Sequence, residues 1–156
     1  MLLRTLSASV ALATAFPALA AGPLTLTSDV RMEKRVAAAD GTTRTTLVKA
    51  DRAVPGDRVV FVLSYRNTGA QPLSDVVLAN PVPKNMAYRA PALNSAAPEL
   101  SVDGKTYGTL AALRVPAGTG GLRAAGPDDV TTVRWRLTSP IAAGSSGQLS
   151  FQAVIR

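Results

Sequence analysis

Residues 54–69 read VPGDRVVFVLSYRNTG, and this stretch decides the fold. Pro55 and Gly56 predict a tight turn, because proline presets φ at the second position of a type II turn and glycine takes the positive φ of the third. The run 58–66 alternates with a period of two and is rich in aromatic and β-branched residues, which is typical of a strand. Asn67-Thr68-Gly69 ends it. The chain is therefore expected to reverse at Pro55-Gly56 and enter a strand.

The two faces of this strand differ in polarity. One face carries Val59, Phe61, Leu63 and Tyr65. The other carries arginines at its ends and two valines between them, so we expect a central strand that is partly covered on its second face. A second strand starts near residue 76 and has to end near residue 80, because the prolines at 81 and 83 cannot donate to a ladder.

Two Asp-Gly dipeptides predict hairpins on either side of this region. Asp40-Gly41 separates the runs 32–37 and 43–48, and Asp103-Gly104 separates 100–102 from 105–107. The first hairpin is rich in basic residues, which suits an exposed edge that charge protects from pairing. These residues are Arg31, Lys34, Arg35, Arg44 and Lys49.

The C-terminal part repeats the alternation. Val133, Trp135 and Leu137 share one face of a strand, and the last strand, near residues 149–155, points every second residue inward. Residues 116–127 hold four glycines and predict a long mobile loop, and Asp128-Asp129 is interpreted as a solvated entry to the next strand. Short strands with Gly/Pro punctuation predict an all-β antiparallel sandwich of about seven to nine strands.

Trp135 is interpreted as a core anchor, with exposed stacking on a ligand as the alternative. Seven residues are assigned structural roles in turns, strand ends and core. They are Pro55, Gly56, Asp57, Asn67, Gly69, Pro83 and Trp135.

The motifs resemble the domain of unknown function 11 family, a bacterial surface repeat. The family pattern is a Pro-Gly-Asp turn, a strand that ends in Asn-x-Gly, and then Val-x-Val-x-Asp-x-Leu-Pro. Here Pro55-Gly56-Asp57, Asn67-Thr68-Gly69 and the segment 76–83 match it, with Leu78, Asn80 and Val82 as departures. The resemblance extends to residues 134–137 and the Gly-rich link that follows, and it implies an immunoglobulin-like β-sandwich. Because Asn80 stands where the family usually has Asp, that position offers no carboxylate to a cation.

Residues 1–20 are typical of a secretory signal peptide, with Arg4, an apolar stretch and Ala18-Leu19-Ala20 as a small-x-small cleavage site. Residues 21–156 are then expected to form a single domain in the periplasm or outside the cell. The sequence has no cysteine, which excludes disulfides and thiolate metal sites.

The composition argues against an enzyme. Histidine is absent, which removes the usual general base and the commonest zinc ligand. Gly118-Thr119-Gly120-Gly121 lacks the Gly-Lys-Ser/Thr ending of a phosphate loop, and Asp128-Asp129 falls short of a calcium ligand set. We expect no catalytic residue, cofactor or metal.

Net charge is the remaining functional signal. The sequence has 17 basic and 10 acidic residues, a formal net charge of +7, and favours anionic partners. If their strands are neighbours, four arginines form a candidate basic binding face. They are Arg58, Arg66, Arg134 and Arg136. Diffuse solvating charge is the alternative.

The hypothesis is an exported, non-catalytic module with a structural or adhesive, protein-binding role at the cell envelope. Binding would use the basic face or an open sheet edge, either the N-terminal hairpin or the last strand. The alternative is a basic module that binds a polyanion such as lipopolysaccharide, an acidic glycan or extracellular DNA. The partner is an envelope protein or an anionic surface polymer, and the sequence leaves the oligomeric state open.

Overall fold

A computed structural model describes residues 22–50, 54–118 and 120–156, except for the side chain of Arg35. The predicted signal peptide, residues 1–20, lies outside the described residues. Within them the chain consists of antiparallel strands and two single-turn 3-10 helices, which confirms the all-β prediction. In this part of the chain no helix has the length and apolar character needed to cross a membrane.

Ten strands form in the described part of the chain. Their bounds are β1 Leu24–Ala37, β2 Thr43–Lys49, β3 Arg58–Asn67, β4 Val77–Pro81, β5 Met86–Pro91, β6 Glu99–Ser101, β7 Arg114–Pro116, β8 Leu122–Ala124, β9 Thr132–Arg136 and β10 Ser146–Ile155. The 3-10 turns are Leu110–Ala112 and Pro127–Asp129.

Eight of these strands make two sheets that pack face to face. The five-stranded sheet has the order β2-β1-β3-β10-β5, and the three-stranded sheet has the order β4-β9-β6. One apolar cluster contains residues of both sheets, so the core lies between them. The predicted antiparallel sandwich is confirmed, and β7 and β8 add a small separate hairpin.

Aromatic rings mark the centre of the core. Phe151 on β10 stacks on Phe61 of the neighbouring strand with ring centroids 4.8 Å apart, and lies 6.3 Å from the ring of Trp135 in the opposite sheet. Trp135 is 2% exposed, and its indole N–H donates to the carbonyl oxygen of Ala96 at 2.9 Å. The prediction that Trp135 anchors the core is confirmed.

The turn before β3 forms as predicted. Asp57 N–H donates to the carbonyl oxygen of Val54 at 3.0 Å across Pro55 and Gly56, and Gly56 has a φ of +97°. The Asp57 carboxylate accepts the Val54 N–H at 2.9 Å, which closes the turn a second time. β3 is central, between β1 and β10, as the two apolar faces of its sequence predicted.

Asn67 ties the end of β3 to the loop before β10. Its buried amide donates to the carbonyl oxygens of Gln71 and Ile141 at 2.8 and 2.9 Å. Its side-chain oxygen accepts the Gly69 N–H at 2.9 Å. Pro83 opens the turn into β5, where its carbonyl oxygen accepts the Met86 N–H at 2.9 Å. These positions hold the structural roles assigned to them.

Two local predictions are wrong. Residues 105–107 do not form a strand: the Asp103-Gly104 reversal is held by one bridge between Leu100 and Gly108 and by the Asp103 carboxylate, which accepts the N–H groups of Lys105 and Thr106 at 2.8 Å. The Asp103 carboxylate thus accepts the two N–H groups that a second strand would have donated to its neighbour.

The region 116–127 is not a long loop either. Leu122–Ala124 pairs with Arg114–Pro116 in a tight hairpin, and Pro127–Asp129 forms a 3-10 turn. The glycines supply the turn, where Gly120 and Gly121 have φ values of +90° and +81°.

Candidate functional site

The four arginines of the predicted basic face do not come together. Arg58 and Arg66 lie on β3 of the five-stranded sheet, whereas Arg134 and Arg136 lie on β9 of the three-stranded sheet. All four alternate with core residues and therefore point to the two opposite outer faces of the sandwich. Arg58 and Arg66 are also about 26 Å apart along the strand at ~3.3 Å per residue. The predicted stripe on one sheet face is wrong, because alternation does not tell which sheet a strand joins.

The two arginines of β9 are engaged by their own sheet. Arg134 contacts the Glu99 carboxylate at 2.6 Å, and Arg136 contacts it at 3.4 Å. The Arg134 guanidinium also lies 3.6 Å above the centre of the Tyr107 ring. The hydrogen bond from Arg134 lowers the pKa of Glu99, with smaller contributions from the charges of both arginines. The Arg134 guanidinium is thus already bound by Glu99 and Tyr107.

Asp128 and Asp129 are ion-pair partners and not merely a solvated strand entry. Asp129 accepts two hydrogen bonds from Arg123 at 2.7 Å, and these, with the N–H of Gly126, lower its pKa to about 2. Asp128 accepts from Arg89 at 2.7 Å. In residues 22–50, 54–118 and 120–156, no cluster of three or more potential ligands could hold a metal ion.

One exposed feature of the fold is a two-stranded extension, which we call the ribbon and define as residues 33–48. β1 pairs with β3 through Leu24–Met32 and with β2 through Arg31–Ala37, so its second half passes beyond the start of β3. All seven residues of β2 are exposed. The ribbon therefore extends beyond the start of β3 with all of β2 exposed, and its Glu33, Thr45 and Leu47 face borders a recess that Val60, Ala92 and Leu93 also line.

A three-residue loop sets the register of the ribbon. Gly41 N–H donates to the Ala38 carbonyl oxygen at 3.0 Å, and Ala38 N–H donates to the Thr42 carbonyl oxygen at 2.7 Å. Gly41 has a φ of +79°, the conformation that this loop type needs and glycine tolerates. The Asp-Gly hairpin prediction is confirmed.

This register decides which backbone groups face outward. Hydrogen-bonded and non-hydrogen-bonded pairs alternate along an antiparallel ladder. The pair Ala38–Thr42 is hydrogen-bonded. Counting from it along the register, the pairs that contain Thr43, Thr45 and Leu47 are non-hydrogen-bonded. Their N–H and C=O groups therefore point away from β1, toward the outer edge of the sheet, where the strand order ends at β2.

The other outer strands are shorter or covered. β5 carries Arg89, whose ion pair with Asp128 brings the 3-10 turn against it. β6 pairs with Gly108 through two backbone hydrogen bonds, and β4 has five residues and ends in Pro81. Such devices protect natural sheets from edge-to-edge pairing. Within the residues that the structure describes, the outer edge of β2 has basic side chains as its protection from pairing.

The ribbon and its base are basic. Residues 31–49 contain five basic and two acidic residues. Both acids have partners: Glu33 accepts from the Gln152 side chain at 2.6 Å, and Asp40 accepts the Thr42 N–H at 3.0 Å. Three large apolar side chains are exposed beside them, Val36 at 44%, Leu47 at 41% and Val48 at 38%. The ribbon therefore presents outward backbone groups, positive charges and aliphatic side chains to solvent.

The outward-facing residues Thr43, Thr45 and Leu47 were not singled out by the sequence. Charge and the Asp-Gly turn located the hairpin, but the loop length that fixes which residues face outward follows only from the geometry of the turn. Comparisons of this chain with protein-family models, with curated proteins and with solved structures find no match.

Proposed function

We propose that the chain is an exported, non-catalytic module that binds a protein of the cell envelope by adding one of that protein's strands to the edge of β2. The observation that carries the proposal is the projecting ribbon with its outward N–H and C=O groups at Thr43, Thr45 and Leu47. In strand addition these groups supply affinity, and alternate side chains supply specificity.

Energetics support a binding role for the ribbon. A two-stranded hairpin is only marginally stable in water, because its exposed residues bury little apolar surface. The β1–β2 extension buries none of the β2 residues, so it contributes little to the core. A partner strand would cover the exposed edge and the aliphatic side chains Leu47 and Val48.

Chemistry and the N-terminal sequence support the remaining parts of the proposal. Without histidine or cysteine, the chain lacks the side chains most used for general base and nucleophilic thiol chemistry. The signal-peptide pattern of residues 1–20 favours export to the periplasm or the cell exterior. The resemblance to the domain of unknown function 11 family supports a structural or adhesive role.

A single backbone substitution tests the proposal. Thr45→Pro removes an outward N–H while leaving the hydrogen bonds to β1 in place, and edge strands tolerate proline at such positions. The control Thr45→Val keeps the N–H. The tagged proteins are incubated with washed envelopes, and retained proteins are identified by mass spectrometry. We expect a specific partner that Thr45→Val retains, that Thr45→Pro loses, and that resists high salt.

The basic charge of the ribbon favours a second candidate, a polyanion-binding module. Phosphate or sulfate contacts release counterions, so retention of lipopolysaccharide, acidic glycan or DNA would fall steeply between about 50 and 200 mM salt. Such binding uses side-chain charge and would be lost in Arg44→Ala but unchanged in Thr45→Pro. That outcome would replace the strand-addition proposal with this one.

A further inference from the structure

The chemistry of the ribbon constrains its partner, an inference that rests on the proposed strand addition. In a paired strand, each side chain lies beside the one directly opposite it on the same face. Arg44, Thr46 and Val48 share one face of β2, while Thr45 and Leu47 share the other. A strand added to β2 would therefore meet a cation at one end of the ribbon and aliphatic groups at the other.

The cationic end lacks a strong partner in the described chain. The Arg44 side chain is 75% exposed, and its ion contact with Asp40 is a distant one at 3.8 Å. Lys34 lies on the same face, opposite Thr46. The acid at the root of the ribbon, Glu33, is on the other face and is bonded to Gln152. A carboxylate placed opposite Arg44 would have a favourable cross-strand contact.

The same charge argues against a second copy of this chain. Two copies would bring together two segments 31–49, each with five basic and two acidic residues, and these segments repel one another. Antiparallel pairing centred on Thr46 would set Arg44 of each copy beside Val48 of the other. In this pairing neither Arg44 would have an acidic side chain opposite it. The basic residues thus disfavour self-association and favour an acidic partner.

We propose that the strand that adds to β2 is an acidic, extended segment of another protein, with a carboxylate opposite Arg44 and aliphatic residues opposite Leu47 and Val48. The aliphatic residues would lie three and four positions from the carboxylate, in either chain direction, since the register of β2 sets that spacing. Acidic and aliphatic positions in this order define the class of segment.

Matched peptides test this assignment. The probes are capped at both ends and differ at one position: an acidic probe with Glu followed three and four residues later by Val and Ile in a threonine background, and its Gln and Lys versions. Binding is followed by NMR titration at low salt on the wild-type chain. We expect the acidic probe to bind about fivefold to tenfold more tightly than the Lys probe, and to shift the backbone amides of Thr43, Thr45 and Leu47.

Charge reversal separates a pairwise contact from net charge. Arg44→Glu should invert the preference so that the Lys probe binds more tightly, whereas Arg66→Glu, an equal charge change at the far end of β3, should leave the preference as in the wild type. Thr45→Pro should lose both probes. If Arg44 had only a structural role, Arg44→Glu would not increase the binding of the Lys probe.

Several outcomes would overturn the inference. Equal binding of the Glu and Lys probes, an equal effect of Arg66→Glu, or no binding of any probe would each overturn the acidic assignment. Sedimentation that shows a dimer, abolished by Thr45→Pro, would make a second copy the occupant. If an envelope partner depends on the Thr45 N–H but binds through a non-acidic strand, the proposed function stands and this inference fails.

Discussion

The indole of Trp135 lies against the ring of Phe151 with centroids 6.3 Å apart, and this contact joins the two sheets. Because Trp135 is 2% exposed, Trp135→Ala leaves a large cavity between the sheets. We expect a loss of about 3–5 kcal/mol in the free energy of unfolding, measured by chemical denaturation. Trp135→Phe, which keeps a ring in the core, should cost less.

An exposed aliphatic residue provides the control for this substitution. Leu93 is 87% exposed, so Leu93→Ala should change the free energy of unfolding by no more than about 0.5 kcal/mol. A loss below about 1 kcal/mol for Trp135→Ala would contradict the sheet packing described above.

Asn67 stabilises the fold through polar contacts in the core. Its side chain is 0% exposed, donates to the Gln71 and Ile141 carbonyl oxygens and accepts from Gly69. Asn67→Ala removes these three hydrogen bonds, each contributing about 0.5–1.5 kcal/mol, so we expect a loss of roughly 2–4 kcal/mol. The measurement is equilibrium unfolding beside Asn85→Ala, an exposed asparagine that should be neutral. Equal effects of the two substitutions would show that the Asn67 contacts contribute nothing.

Gly147 lies directly opposite Tyr65 in the β3–β10 ladder, and the phenol ring covers it. A Cβ at residue 147 would overlap this ring, so Gly147→Ala has to displace Tyr65 from its packed position. We expect a loss of about 1–3 kcal/mol, as for other overpacked sites. Gly118→Ala is the matched control, since nothing lies within 4 Å of the added Cβ there. A Tyr65→Ala background should relieve the cost of Gly147→Ala, and additive losses in the double variant would contradict the overlap.

Local sequence patterns predicted the strands whose residues alternate and whose ends carry turn signals. Alternation identified β3, β9 and β10, and Pro55-Gly56 and Asp40-Gly41 located two turns. The sequence did not predict β5, because this strand is short and ends in Pro91. It did not predict β8, because that strand lies among glycines. In both cases pairing with a distant strand outweighs weak local preference.

The site was predictable only in part, for a geometric reason. Charge and the Asp-Gly turn indicated an exposed basic hairpin, and the structure confirms its position at a sheet edge. The last strand, predicted as a second open edge, is instead paired on both sides, with β3 and β5. Assignment of strands to sheets depends on contacts distant in sequence, so the periodicity around Arg58 and Arg134 could not place these residues in different sheets.

Acid should weaken the fold through Asp103. Hydrogen bonds from the N–H groups of Lys105 and Thr106, and then from the Ser101 hydroxyl, lower its pKa from 3.8 to about 2. Since the folded state holds the pKa below its unfolded value, this carboxylate stabilises the fold above pH 3.8, and the contribution is lost as the pH falls toward about 2. Asp129, with its pKa also lowered to about 2, adds to the same loss.

The variant Asp103→Asn isolates one of the two carboxylates. We expect it to be less stable than the wild type at neutral pH, because a neutral amide accepts the Lys105 and Thr106 hydrogen bonds more weakly. The difference in unfolding midpoint should shrink as the pH falls from 3.8 to about 2, where the wild-type carboxylate itself becomes neutral. Asp75→Asn makes the same change of charge at an exposed turn and should follow the wild-type profile. A difference between Asp103→Asn and the wild type that stays constant across this pH range would show that the hydrogen bonds to Asp103 do not depend on its charge.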